Sequence, residues 1–136
     1  MQVNTYLLFN GQCEAAFKFY EQALGAEIKF MMTFGDSPAA EQVPQEYRGK
    51  IIHGTLALGA QLIMASDAPP ERFQKPQGFS VSIEVTDPTE AERRFNALAE
   101  NGQITMPMQP TFWAVRFGML VDQFGIPWMV NCNKAA

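Results

Sequence analysis

Histidine is almost missing from this sequence: His53 is the one instance in 136 residues. A catalytic or structural zinc-type centre needs several nitrogen, sulfur or oxygen donors converging at roughly 2.0–2.2 Å. One imidazole excludes any histidine-rich centre. Cysteine is scarce too. Cys13 and Cys132 form neither a disulfide framework nor zinc-type spacing, and a reducing cytoplasm is the expected compartment. Cationic residues are few, ten Lys and Arg against 14 Asp and Glu. With net charge -4 and no basic stripe, a nucleic-acid partner is not expected. No apolar run approaches the length needed to cross a bilayer. The opening Met1-Gln2-Val3-Asn4 lacks the charged and apolar regions of a secretory signal. What is plentiful is apolar bulk. There are 11 Phe and 8 Met, and apolar residues reach 47% against 18% charged, which predicts one globular domain with an apolar, adaptable pocket.

Periodicity divides the chain into repeated elements. Residues 3–9 read as a strand ending at the turn signal Asn10-Gly11. Over residues 12–24, Cys13, Ala16, Phe17, Tyr20 and Leu24 recur at three- and four-residue steps, the stripe of an amphipathic helix stopped by Gly25. A strand follows over 27–33. The segment 35–49, with Pro38 and Pro44, reads as loop. Residues 50–57 and 61–66 form a hairpin around Leu58-Gly59-Ala60. Pro69, Pro70 and Pro76 mark a joint, and the order then recurs. A strand over 79–85 leads to Asp87-Pro88-Thr89-Glu90. Asp87 suits an N-cap, Pro88 the first helical position, and Glu90 a capping box. Ala91, Phe95 and Leu98 form the stripe and Gly102 ends the helix. Strands are predicted over 103–108, 112–121 and 126–131.

The order is β-α-β-β-β twice. Cys13, Phe17 and Tyr20 echo Ala91, Phe95 and Leu98, and Gly25-Ala26-Glu27-Ile28 echoes Gly102-Gln103-Ile104. The predicted class is α+β, with two βαβββ modules forming curved mixed sheets around a cavity. The modules are 1–67 and 78–136, joined by 68–77.

Three stretches carry a resemblance. The first is Tyr6-Leu7-Leu8-Phe9-Asn10-Gly11-Gln12-Cys13-Glu14-Ala15-Ala16 with Phe19-Tyr20 and Leu24-Gly25-Ala26. The second is Met64-Ala65-Ser66-Asp67. The third, and most specific, is Thr111-Phe112-Trp113-Ala114, Phe117-Gly118 and Asp122-Gln123-Phe124-Gly125-Ile126-Pro127-Trp128. Together they resemble the PhnB-like branch of the vicinal-oxygen-chelate (glyoxalase/bleomycin-resistance) superfamily over nearly the whole chain. The resemblance implies a ligand cavity built from paired βαβββ units and a homodimer. In enzymatic members it implies a divalent metal held by four inward His or Glu side chains; bleomycin-resistance members bind a drug without chemistry. PhnB-like chains often carry a demethylubiquinone methyltransferase label.

Carried onto this chain, the four metal positions fall on Thr5, on Met64 (or Ile63), on Ser80 and on Met129. None is His, Asp or Glu, and thioethers and neutral hydroxyls are poor zinc or nickel ligands. No cofactor is therefore expected. The methyltransferase label fits poorly as well: Gly11 stands alone after the first strand, with no glycine-rich turn for an adenosyl donor.

Four further groups invite chemistry. Cys13 lies near a helix N-terminus, where a thiolate gains from the dipole, but also on the apolar stripe. His53 shares a strand face with Ile51 and Thr55, facing either a ligand or the structure. Arg116 would bind an anion if it points inward. Trp113, Phe117 and their aromatic neighbours pack a core, an interface or a ligand. The expected function is a metal-free protein that binds or sequesters a small molecule. Its pocket draws on Thr5, His53, Met64, Ser80, Trp113, Arg116, Phe117 and Met129. The alternatives are an enzyme using His53, with Tyr6, for proton transfer, and an interaction module with the aromatic tail at a dimer interface.

Overall fold

Strand alternation sorts the side chains of each sheet onto two faces, and a helix covers one of them. The computed structural model describes residues 1–134 and divides the chain into two units, Met1–Gln74 and Lys75–Ala136. In the first unit, β1 (Thr5–Phe9), α1 (Cys13–Leu24), β2 (Glu27–Thr33), β3 (Ile51–Leu58) and β4 (Gln61–Asp67) build a four-stranded sheet of order β1-β4-β3-β2. The β1–β4 pair is parallel and the others antiparallel, so the sheet is mixed. Helix α1 buries Cys13, Ala16, Phe17, Tyr20 and Ala23. Leu7 and Phe9 of β1, Gly54 and Leu56 of β3, and Ile63 and Ala65 of β4 are buried with them. Gly25 ends the helix in the left-handed region, at φ 67°.

The loop after β2 contains two short 3₁₀ turns, Ala40–Gln42 and Gln45–Tyr47. Tyr47 is buried, and its hydroxyl donates to the Ala68 carbonyl. Asp67 ends β4 and is only 2% exposed. Its carboxylate accepts the backbone N–H of Cys13 at 2.9 Å and that of Ile51 at 2.9 Å, tying the start of α1 to the start of β3.

The second unit repeats the plan with β5 (Val81–Glu84), α2 (Pro88–Leu98), β6 (Gln103–Gln109), β7 (Ala114–Val121) and β8 (Pro127–Asn133), in the order β5-β8-β7-β6. Asp87 caps α2 by accepting the Thr89 N–H at 3.3 Å. Glu90 does not reach back. It pairs forward with Arg93, and with Arg94 at 2.6 Å. The hydrogen bond from Arg93, aided by Arg94, holds its carboxyl below the usual range. Strand β7 begins two residues later than its apolar run suggests. The Thr111 hydroxyl accepts the N–H groups of Trp113 and Ala114, at 3.3 and 3.0 Å, and holds that stretch in a turn. Asp122 accepts from the N–H groups of Phe124 and Ile126 and from Trp128 Nε1, at 2.8, 3.0 and 2.8 Å.

The two units share a packing device. A Cβ at Gly54 would stand 3.1 Å from the ring of Phe17, and one at Gly118 would stand 2.7 Å from the ring of Phe95. In each unit the helix phenyl nests against a glycine of the third strand. Counting from these glycines, Met64 and Met129 hold the same position in their own sheets.

Candidate functional site

On the face of the first sheet away from α1, Tyr6, Met64, Thr55 and Phe30 form one cross-strand row, and Met32 stands opposite His53. The Tyr6 hydroxyl lies 3.1 Å from His53 Nδ1, and the two rings stack with centroids 5.7 Å apart and planes 29° apart. Phe30 closes on the other side of the imidazole at 6.0 Å. Tyr6 is 45% exposed and Phe30 44%, so apolar rings meet solvent here around one hydrogen-bonded polar pair. His53 and Met64 are therefore brought onto one face.

Thr5 is not. It pairs with Ile63, whose side chain is buried on the α1 side. The burial of Leu7 and Phe9 fixes the register of β1, and one residue of offset puts Tyr6, not Thr5, on the open face.

On the open face of the second sheet, Phe117 pairs with Asn131, Met119 with Met129, and Met129 with Ser82. Trp113 packs edge-on against Phe117 at 5.3 Å and donates from Nε1 to Asn131 Oδ1 at 3.2 Å. Asn131 in turn donates to Asn133 Oδ1 at 2.7 Å. Phe112 lies edge-on to Trp113 at 4.8 Å and is 88% exposed. Trp113, Phe117 and Met129 thus share one surface. Ser80 precedes β5 and is half-buried, outside the strand.

Arg116 belongs to the other face. It pairs in register with buried Cys132, and its Nε donates to Glu92 of α2 at 3.2 Å. Regular alternation from Arg116 through Gly118 and Leu120 sets this orientation. The Glu92 carboxylate answers the guanidinium on the helix side of the sheet, not on the open face that the expected anion-binding role requires. Asn131 is the site residue that sequence reading missed. The need of the Trp113 N–H for a partner pointed toward it, but only the strand register shows which side chain answers.

The nucleophile reading of Cys13 fails. The residue is fully buried. Burial, with the nearby charges of Asp67 and Glu14, pushes its thiol up to about 12. Divalent-metal chemistry also lacks its donors. Among the described residues no three His, Cys, Asp or Glu side chains group together. The first open face supplies an imidazole, a phenol, a threonine hydroxyl and two thioethers. The second supplies thioethers, an amide, a hydroxyl and the carboxylate of Glu84. These residues do not fit a hard divalent ion.

Two β-α-β-β-β units with four-stranded mixed sheets define the glyoxalase/bleomycin-resistance fold. The fosfomycin resistance protein FosX of Listeria monocytogenes shares it at 9% identity, with a TM-score of 0.68 over 98% of this chain and 94% of its own. The family is narrower. Residues 1–131 match the family described as 3-demethylubiquinone-9 3-methyltransferase, and the chain belongs to that family, the PhnB-like group. Protein YjdN of Escherichia coli K12 is 37% identical over 142 residues, covering 98% of this chain and 97% of its own. Protein PA1353 of Pseudomonas aeruginosa is 46% identical, with a TM-score of 0.90 over 99% of each chain. The PhnB protein of Bacillus cereus is 25% identical, with a TM-score of 0.81 over 97% of this chain and 99% of its own.

Proposed function

We propose that this protein binds or sequesters a small organic molecule, without a divalent metal ion, on the apolar open faces of its sheets. One observation carries the reading. Each open face sets a hydrogen-bonded polar group, Tyr6–His53 or Trp113–Asn131–Asn133, among rings and thioethers. That is the makeup of a surface that takes up an apolar body and orients it through a few polar contacts. The description of FosX as a fosfomycin resistance protein supports small-molecule recognition as one use of the frame. We extend the proposal to a homodimer working in the cytoplasm, with neither nucleic acid nor membrane as partner. No helix among the described residues is long and apolar enough to cross a membrane.

We do not carry the methyl transfer of the family's description to this chain. Gly11 stands alone after β1, and the Lys50 ammonium donates to its carbonyl at 3.0 Å, where a donor-binding turn would need open backbone. A second reading, proton transfer by His53, is favoured by the Tyr6 hydroxyl on Nδ1, which can fix the tautomer of the ring.

Thermal-shift titration with a panel of apolar aromatic compounds tests the proposal. A binder raises the melting temperature of the wild type. His53→Ala weakens a binder of the first open face, and Phe117→Ala a binder of the second, by about tenfold, on the order of 1.4 kcal/mol. Equal binding by the wild type and both variants contradicts the proposal. If a substrate is turned over, loss of turnover in His53→Ala at unchanged melting temperature selects the second reading.

A further inference from the structure

Three of the chain's eight methionines fall on one cross-strand row of the second sheet. The register pairs Met106 of β6 with Met119 of β7, and Met119 with Met129 of β8. Irregularities on either side of Met106 leave it opposite Met119. Directly opposed residues share a face, with Cβ atoms about 4.5–5.5 Å apart. All three are half-buried, neither sealed in the core nor fully exposed. The same row in the first sheet holds Phe30, Thr55 and Met64. The frame therefore does not demand thioethers at these positions. Sheet stability does not favour them either, since β-branched and aromatic side chains suit a pleated surface better.

We infer that Met106, Met119 and Met129 form a binding site for a soft monovalent cation, copper(I) above all. Thioether sulfur is a soft donor that selects copper(I) over hard divalent ions. Methionine is unbranched, with three rotatable bonds. The outer two side chains can lean over Met119 and bring three sulfurs to one ion. Both cysteines are buried, so these thioethers are the sulfur atoms that an ion meets at this face. The site goes beyond the organic-ligand proposal and does not depend on it, because that proposal excludes divalent ions only.

Anaerobic titration of the whole protein with copper(I), in competition with bicinchoninate, tests the inference. One equivalent is retained by the wild type. Replacing all three residues (Met106→Leu, Met119→Leu, Met129→Leu) conserves volume and weakens retention at least 100-fold. Met64→Leu, at the matching position of the first sheet, retains copper like the wild type. Should the triple variant fold poorly, wild-type protein carrying 13C-methyl methionine is titrated with silver(I). The methyl signals of Met106, Met119 and Met129 then shift first. Loss of all copper to the chelator, unchanged retention by a folded triple variant, or first shifts at other methionines would overturn the inference.

Discussion

Asp67 and Asp122 are buried carboxylates whose work is structural. Asp67 takes two backbone N–H groups from different elements, and Asp122 takes two more together with the Trp128 indole. A hydrogen bond to a charged group contributes about 1.5–3 kcal/mol, and orphaned buried donors add their own cost. Asp67→Ala is therefore expected to lower stability by about 3 kcal/mol and Asp122→Ala by at least as much, measured by urea unfolding. A loss under 1 kcal/mol in either variant would refute these roles. Sequence reading places Asp67 at the end of the first module and Asp122 between two strands. Hydrophobic periodicity cannot reveal a buried carboxylate, because its partners are backbone groups that leave no mark in the sequence. The Arg116–Glu92 pair escaped for a related reason, since it joins two elements across 24 positions.

Cys13 and Tyr47 make alkaline stability readable. Both are held protonated in the folded protein, each with its pKa raised to about 12, chiefly by burial and then by Asp67. The unfolded chain releases the Cys13 proton near 9 and the Tyr47 proton near 10. Between those values and about 12 the unfolded state binds fewer protons, so stability falls as pH rises. Below pH 9 the contribution is complete. Urea midpoints measured from pH 8 to 11 are expected to fall, and to fall less steeply in Cys13→Ala. The same thiol is expected to resist Ellman's reagent at pH 8 until the protein is unfolded; rapid labelling of the folded chain would contradict its burial.

At the level of elements, three glycines show why some boundaries were legible and others were not. Strand β2 falls where its apolar run places it. Helix α2 starts at the predicted Asp87-Pro88, because capping chemistry is local. Gly102 was read as a helix stop, yet α2 ends at Leu98 and Asn101 adopts the left-handed turn at φ 56°. Gly102 serves a close approach instead. A Cβ there would stand 2.5 Å from the Val121 carbonyl oxygen, a backbone atom that cannot swing away. At Gly118 the neighbours at 2.7 Å are the Met108 sulfur and the Phe95 ring, and at Gly54 the Phe17 ring is at 3.1 Å. Alanine substitutions are therefore expected to destabilise in the order Gly102, Gly118, Gly54. The losses should run from about 3 down to about 1 kcal/mol, compared by thermal or urea melts. A reversed order would mean that backbone yields more readily than side chain.

At the scale of the molecule, the doubled β-α-β-β-β plan was legible in full, since both amphipathic stripes and the proline-marked joint are sequence features. The open faces were legible only in part. His53, Met64, Trp113, Phe117 and Met129 lie on them, whereas Thr5 and Arg116 turn toward the helices and Asn131 was overlooked. A strand's facing depends on a one-residue register, which pattern alone fixes only when both neighbours are known. The resemblance implies a divalent metal in enzymatic members of the superfamily, but the open faces here carry thioethers, rings and amides where such an ion needs harder donors in number. Elemental analysis after dialysis against zinc, nickel, iron(II) and manganese, followed by washing, bears most directly on that difference. The expected result is far less than one equivalent of each metal per chain. One tightly held equivalent of any of them would contradict the proposed function.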